Sequence, residues 1–425
     1  MLLRKLLPFN KNILAIAKKI EAKNQYFGCY FSSAKYSYSG NKSFIFWGLE
    51  KEITTEKEIT KQISSKEKPY LFGYFSYEAF MDKELEDIGA RYLDFPDIYF
   101  FQAKNILIFD QQKQTLEFLS NDQQEFDRFS IENLELEEKE SKFSIKNLSS
   151  NMSKNQYLEK VEKIRQDIEN GDYYQANLTR KFYGKIENAD NFSIFEKLTG
   201  YSPSPYSAYF KFAKKTIISS SPEIFLNIEN DRITSRPIKG TIAREENLSE
   251  KEIINKLKES KKDQAENLMI VDLMRNDLSK SSISGTVKVD KLFAIDCYKT
   301  LCHMSSHITS KKQKGLNNLQ IIKNSHPPAS MTGAPKKAVI EALKELEQAK
   351  RGVYSGALGY FNAKDQADFS VIIRTLLIEG NKFEFQVGGG ITYDSTANGE
   401  YLETITKAKA ILQSLGIDEN EIMAV

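Results

Sequence analysis

The stretch Ile98 to Asp110, IYFFQAKNILIFD, is followed by the polar run QQKQ (Gln111 to Gln114) and then by TLEFL, which starts at Thr115. Aromatic and branched residues on both sides of a short polar break read as two strands joined by a hairpin. A hairpin makes its strands antiparallel, and the aromatic run YLFGYFSYEAF (Tyr70 to Phe80) offers a further strand to pair with them.

Helical spacing appears later. Tyr157, Val161, Ile164 and Ile168 share one helical face, and Gly171 stands where a left-handed cap belongs. YSAYFKF, KTIISSS, EIFLNIEN and DRITSRPI follow as strands. One long polar helix then carries the chain from Asn247 to Leu278. The last third alternates strands (GVYSGALGYFN, FSVIIRTLLIEG, KFEFQVGGGITY) with helices (GAPKKAVIEALKELEQA, GEYLETITKAKAILQSL). Adjacent strands with tight turns make this an α+β protein on antiparallel sheet. The charged segment from Asn133 to Gln156 reads as a linker.

The chain has 425 residues, 40% of them hydrophobic, enough for a substantial core. Its 60 basic and 58 acidic residues give a net charge of +2, which argues against nucleic acid or a membrane surface as the main partner. No apolar run reaches the ~20 residues of a membrane span, and the N-terminus lacks a small-residue cleavage site. Cys29, Cys297 and Cys302 show no paired spacing, so a reduced, cytoplasmic chain without disulfides is expected. Three histidines leave little room for a His-rich metal site.

Five features carry candidate chemistry. Lys239 lies in SRPIKGTIAR between Pro237 and Gly240, where partial burial would free its amine as a nucleophile or base; a lysine at an ordinary turn would look the same. Glu400, Glu403 and Lys407 share a helical face that can hold a hard cation and an anion, or be a solvated surface. Gly388, Gly389 and Gly390 can turn amides toward an anion or form a bulge, and they match neither a Walker nor a dinucleotide motif. Arg374, in an apolar strand, needs a carboxylate from a ligand or from the protein. His303 is a core histidine or a catalyst.

Taken in order, GDYYQANLT, SPYSAYF, SSSPEIFL, RPIKGT, ENLMIVDLMRNDL, MTGAPK, GVYSGALGYF, VIIRTL and VGGGITYDSTANGEYLET resemble the chorismate-utilising enzymes, the family of the anthranilate and aminodeoxychorismate synthases. The motifs cover most of the chain from Gly171 to Lys409; the first third matches chiefly through LFGYFSYEAF. The resemblance implies two large antiparallel sheets packed face to face with helices outside. Residues 1–145 would form a β-rich half interlocked with a chorismate-binding catalytic part, 146–425, and the segment 133–156 would be a surface loop between them.

The family's anthranilate synthases typically have PIAGT where this chain has PIKGT, as the aminodeoxychorismate synthases do. That likeness implies that Lys239 attacks C2 of chorismate as the 4-hydroxyl leaves. Ammonia from a separate glutamine amidotransferase subunit then enters at C4, giving 4-amino-4-deoxychorismate for 4-aminobenzoate and folate synthesis. Anthranilate formation is the alternative. The resemblance assigns Mg²⁺ to Glu266, Glu400 and Glu403, and catalysis to Lys239, His303 and Glu223. It gives substrate binding to Gly240, Thr241, Ser330, Tyr354, Arg374, Gly388, Gly389, Gly390 and Lys407.

Overall fold

The computed structural model of the protein describes residues 2–9, 12–32, 42–65, 70–81, 91–131, 134, 143–244, 248–298, 301–362 and 364–423. Ile98–Asp110 is one unbroken strand, and Thr115–Ser120 folds back on it from Asp110↔Thr115 to Asn105↔Ser120. Its length lets it serve three neighbours. Lys42–Ile53 takes one edge, while Leu71–Phe75 and Thr115–Ser120 share the other.

Two series of antiparallel pairings leave this strand. From Lys42–Ile53 the sheet continues through Phe27–Ser32, Tyr206–Phe212, Lys215–Ser221, Thr375–Glu379 and Lys382–Ile391 to Gln175–Glu187. From Leu71–Phe75 it continues through Ala357–Phe361, Ala367–Val371, Ile224–Glu229 and Arg232–Arg236 to Leu301–Lys311. The two expected sheets are therefore the two layers of one hydrogen-bonded network, continuous through the Ile98–Asp110 strand. Strands from the first third pair with strands far along the chain: Phe27–Ser32 with Tyr206–Phe212, and Leu71–Phe75 with Ala357–Phe361.

Alternation along each strand gives every layer two apolar faces. Between the layers lies an aromatic core that includes Phe44, Phe46, Phe72, Tyr99, Phe210 and Tyr360, with Phe46 and Phe72 stacked 3.8 Å apart. On the outside of the first layer pack the helices Ile13–Glu21, Lys154–Asn170, Asn191–Tyr201 and Ala397–Leu415. Glu56–Ile63, Lys261–Ser279 and Asn318–Ser325 cover the second layer.

Four local expectations change. Part of the expected linker is structured. Ser144–Ser150 is a strand paired with Gln175–Glu187, and a helix begins at Lys154 behind the Ser153 cap; residues 135–142 lie outside the described residues. An edge strand buries little, so its polar composition hides it. The long polar helix is two, Glu250–Glu259 and Lys261–Ser279, because Ser260 leaves helical geometry and caps the second through Asp263 N. FSVIIRTLL is two strands broken at Arg374, whose φ is +50°. Cys297 and Cys302 face each other across the hairpin of Lys288–Cys297 and Leu301–Lys311, with Cα atoms 4.0 Å apart, and form a disulfide. Only the register reveals that pairing; Cys29 is buried and free.

Candidate active site

Lys239 is the second residue of the strand Ile238–Ala243. The register of that strand against Leu301–Lys311 shifts between Ile238 and Thr241, a bulge made possible by Gly240 at φ +80°. A Cβ at Gly240 would lie 2.9 Å from the Asp263 side chain. The missing side chain at Gly240 thus lets the strand approach the helix Lys261–Ser279 closely.

Beyond the bulge Lys239 lines a cavity of about 230 Å³. Gly388, Gly390, Glu403 and Lys407 come to it from the first layer and its C-terminal helix. Glu223, Ser330, Tyr354 and Arg374 come from the second layer and its connections, with Gly240 and Thr241 beside Lys239. Lys262 and Glu266, one helical turn apart, close one side. Segments from Glu223 to Lys407 thus converge on one amine. A larger open groove of about 990 Å³ elsewhere is lined by charges that pair with one another, as Arg232 does with Asp290 at 3.0 Å.

The glycine run lies inside the strand Lys382–Ile391, in register with Asn177, Leu178 and Thr179 of Gln175–Glu187. Its missing side chains make room. A Cβ on Gly390 would lie 3.0 Å from Lys239 Nζ and 3.4 Å from Glu266 Oε2, and one on Gly389 would lie 2.7 Å from Glu400 Oε2.

Burial sets the electrostatics. It pushes the Lys239 ammonium below its ordinary pKa, against the pull of Glu266 and Glu223. Burial pushes Glu223 up to about 7, although Ser330 and Lys239 oppose it. Burial likewise raises Glu266 to about 7, with Glu403 and Glu400 adding repulsion. For Lys407 burial is outweighed by Glu403 at 2.7 Å, so the pKa rises, and its ammonium also donates to Gly388 O at 2.8 Å. Arg374 is lowered to about 10 by burial and stays charged at neutral pH. It donates to Ser202 Oγ at 3.2 Å and has no carboxylate partner among the described residues.

His303 does not line the cavity. Its Nδ1 lies 2.7 Å from Thr241 Oγ1, its Nε2 is buried without a hydrogen-bond partner, and burial holds it well below its usual pKa, hence neutral. Gly389 and Glu400 also lie outside the cavity wall. Among the described residues no three acidic, histidine or cysteine side chains converge as a ready-made metal cage. The three glutamates nevertheless suit a hard cation in kind, since they offer only oxygen and Glu400 Oε2 is buried without a partner. Lys262 bridges two of them, 3.2 Å from Glu400 and 3.8 Å from Glu266.

Sequence reading missed Lys262, Asp263, Asn177 and Gln386, all in the cavity wall. The alternation of Gln175, Asn177 and Thr179 along YQANLT was the available signal, because polar residues on one face of a buried strand need a polar neighbour. Beneath them Arg351 is fully buried, pairs with Glu347 at 2.7 Å and donates to Asn177 O and Met331 O, each at 2.6 Å.

Residues 18–413 match the family model described as chorismate binding enzyme. The chain belongs to that family.

As a chorismate-binding enzyme it is similar to relatives of more than one activity. It is 35% identical over 347 residues to "Aminodeoxychorismate synthase component 1" of Escherichia coli, covering 81% of this chain and 76% of that one. It is 33% identical over 354 residues to "Anthranilate synthase component 1" of Saccharolobus solfataricus, covering 82% and 80%. Among solved structures, anthranilate synthase component I from Streptococcus pneumoniae superposes with a TM-score of 0.77 at 25% identity, covering 88% and 92%. The menaquinone-specific isochorismate synthase of Escherichia coli does so at 0.79 and 16% identity, over 98% and 94%, a likeness of fold.

Proposed function

We propose that this chorismate-binding enzyme aminates chorismate at C4, as an aminodeoxychorismate synthase component I. The observation that carries the reading is Lys239: an amine of depressed pKa in the cavity wall, within the segment PIKGT.

Hydroxide is a poor leaving group, and a covalent intermediate divides the displacement into two easier steps. The neutral Lys239 amine adds at C2, the two ring double bonds shift toward C4, and the 4-hydroxyl departs as water after taking a proton. Glu223 titrates near 7 in the same cavity, which suits it to give that proton and take one back from the substituted amine. Ammonia then adds at C4, the double bonds return, and the C2–N bond breaks to free Lys239. Chorismate plus ammonia thus yields 4-amino-4-deoxychorismate plus water. Arg374 and Lys407 stay cationic in the cavity wall, which suits them to meet the substrate's carboxylates. Glu266, Glu400 and Glu403 would hold Mg²⁺, which when bound neutralises and orients the ring carboxylate.

Nitrogen is proposed to come from a glutamine amidotransferase, a reading supported by the likeness to a relative named as component 1 of an aminodeoxychorismate synthase. The product feeds 4-aminobenzoate formation. Likeness to anthranilate synthases at 33% keeps anthranilate in view as the second product. Mass spectrometry after incubation with chorismate, Mg²⁺ and ammonium decides between them. An amine that keeps the enolpyruvyl group supports the reading; anthranilate plus pyruvate overturns it.

A further inference from the structure

Lys262 belongs to no motif, yet it stands among the carboxylates. It is the second residue of its helix, one turn before Glu266, and its Nζ lies 3.2 Å from Glu400 Oε1 and 3.8 Å from Glu266 Oε1. Those two glutamates come from different helices, 134 residues apart in sequence (400 minus 266). Ser395 donates to Glu400 Oε1 at 2.6 Å, while Glu400 Oε2 is buried with no hydrogen-bond partner. The Lys262 side chain is 41% exposed, so its stem has solvent to move into. Lys407 differs, because Glu403 and Gly388 O both hold its ammonium.

We propose that Lys262 is a built-in counter-ion: in the cation-free enzyme its ammonium bridges Glu266 and Glu400, and a divalent cation binds by displacing it. The inference rests on the reading that these glutamates hold Mg²⁺. Carboxylates brought together in a partly buried site repel unless a positive charge lies between them. A lysine suits a removable charge, being a hydrated point charge on a flexible stem. Lys262 also lines the substrate cavity, so the displaced ammonium remains beside the anionic ligand. Cation binding is therefore held down while the cavity lacks substrate.

The test is a calorimetric titration of Mg²⁺ into chorismate-free protein, comparing the native chain with Lys262→Met, Lys262→Gln and Lys262→Arg. Removing the charge should tighten Mg²⁺ binding roughly fivefold, the size of one part-exposed ion pair, and the Arg variant should stay within about twofold of the native value. Without Mg²⁺ the Met and Gln variants should melt below the native protein, and added Mg²⁺ should close the gap. Unchanged or weaker Mg²⁺ binding in the neutral variants removes the counter-ion role and leaves the glutamates as ligands. No Mg²⁺ binding to any form, with chorismate still bound, overturns the cation reading and this proposal together.

Discussion

Three adjacent glycines should fail in three different ways when each becomes alanine, because each missing Cβ borders a different neighbour. At Gly388 the new methyl would lie 2.5 Å from Leu178 O and 3.1 Å from Thr179 Cα. Backbone in a paired strand cannot yield, so the cost is overpacking of about 1–3 kcal/mol, seen as a fall in Tm. At Gly390 the methyl would lie 2.5 Å from Gln175 Nε2 and 3.0 Å from Lys239 Nζ. Those side-chain ends can move, so stability should hold, but an amine pushed aside by about half an ångström to an ångström costs up to about a hundredfold in kcat/KM. At Gly389 the methyl would lie 2.7 Å from Glu400 Oε2 and 3.6 Å from Glu403 Oε1, so the loss should fall on the Mg²⁺ concentration needed for activity. The assay is chorismate amination at varied Mg²⁺, with calorimetric melting of each variant. If Gly390→Ala keeps full kcat/KM, or if all three variants lose only stability, then the glycines do not make room for the site and the reasoning fails.

Replacing Lys239 by Ala should lower amination by about a thousandfold or more and abolish any chorismate-derived mass adduct, and Lys239→Arg should not restore it. At saturating Mg²⁺, kcat/KM should fall above about pH 7 as Glu223, raised to about 7, loses the proton it donates; Glu223→Gln should flatten that limb at a much lower rate. Outside the cavity wall, burial raises Asp368 from 3.8 to about 7, and its Oδ1 has no hydrogen-bond partner. The folded state therefore holds this proton more tightly than the unfolded chain, and stability is lost as pH rises from about 4 to 7. Asp368→Asn should raise Tm at pH 8, by at most a few kcal/mol of stability, and leave it nearly unchanged at pH 4. Removing the buried Arg351 as Met strands Glu347 and should cost about 3–5 kcal/mol in denaturant unfolding.

The sequence by itself determined the antiparallel hairpin at Ile98–Asp110, the helix from Tyr157 to its Gly171 cap and the chemical identity of Lys239, because each depends on residues within one or two turns of chain. It also supplied most of the cavity wall through motif order, from Glu223 in SSSPEIFL to Lys407. What it left open depends on pairings across long separations. Arg374 read as a strand residue, and its position at a break shows only once Thr375–Glu379 and Ala367–Val371 go to different layers. The glycine run read as an anion site or a bulge, and its task emerged when Glu266, Glu400 and Lys239 were seen against those Cα atoms. Cys297 and Cys302 looked unrelated until strand register set them opposite each other. The i,i+4 spacing of Lys262 and Glu266 looks like an ordinary helix pair, and the second partner of Lys262, Glu400, comes from another helix and so shows only in the fold. Periodicity fixes which face a residue occupies, whereas only the folding of one continuous sheet into two layers decides which distant faces meet.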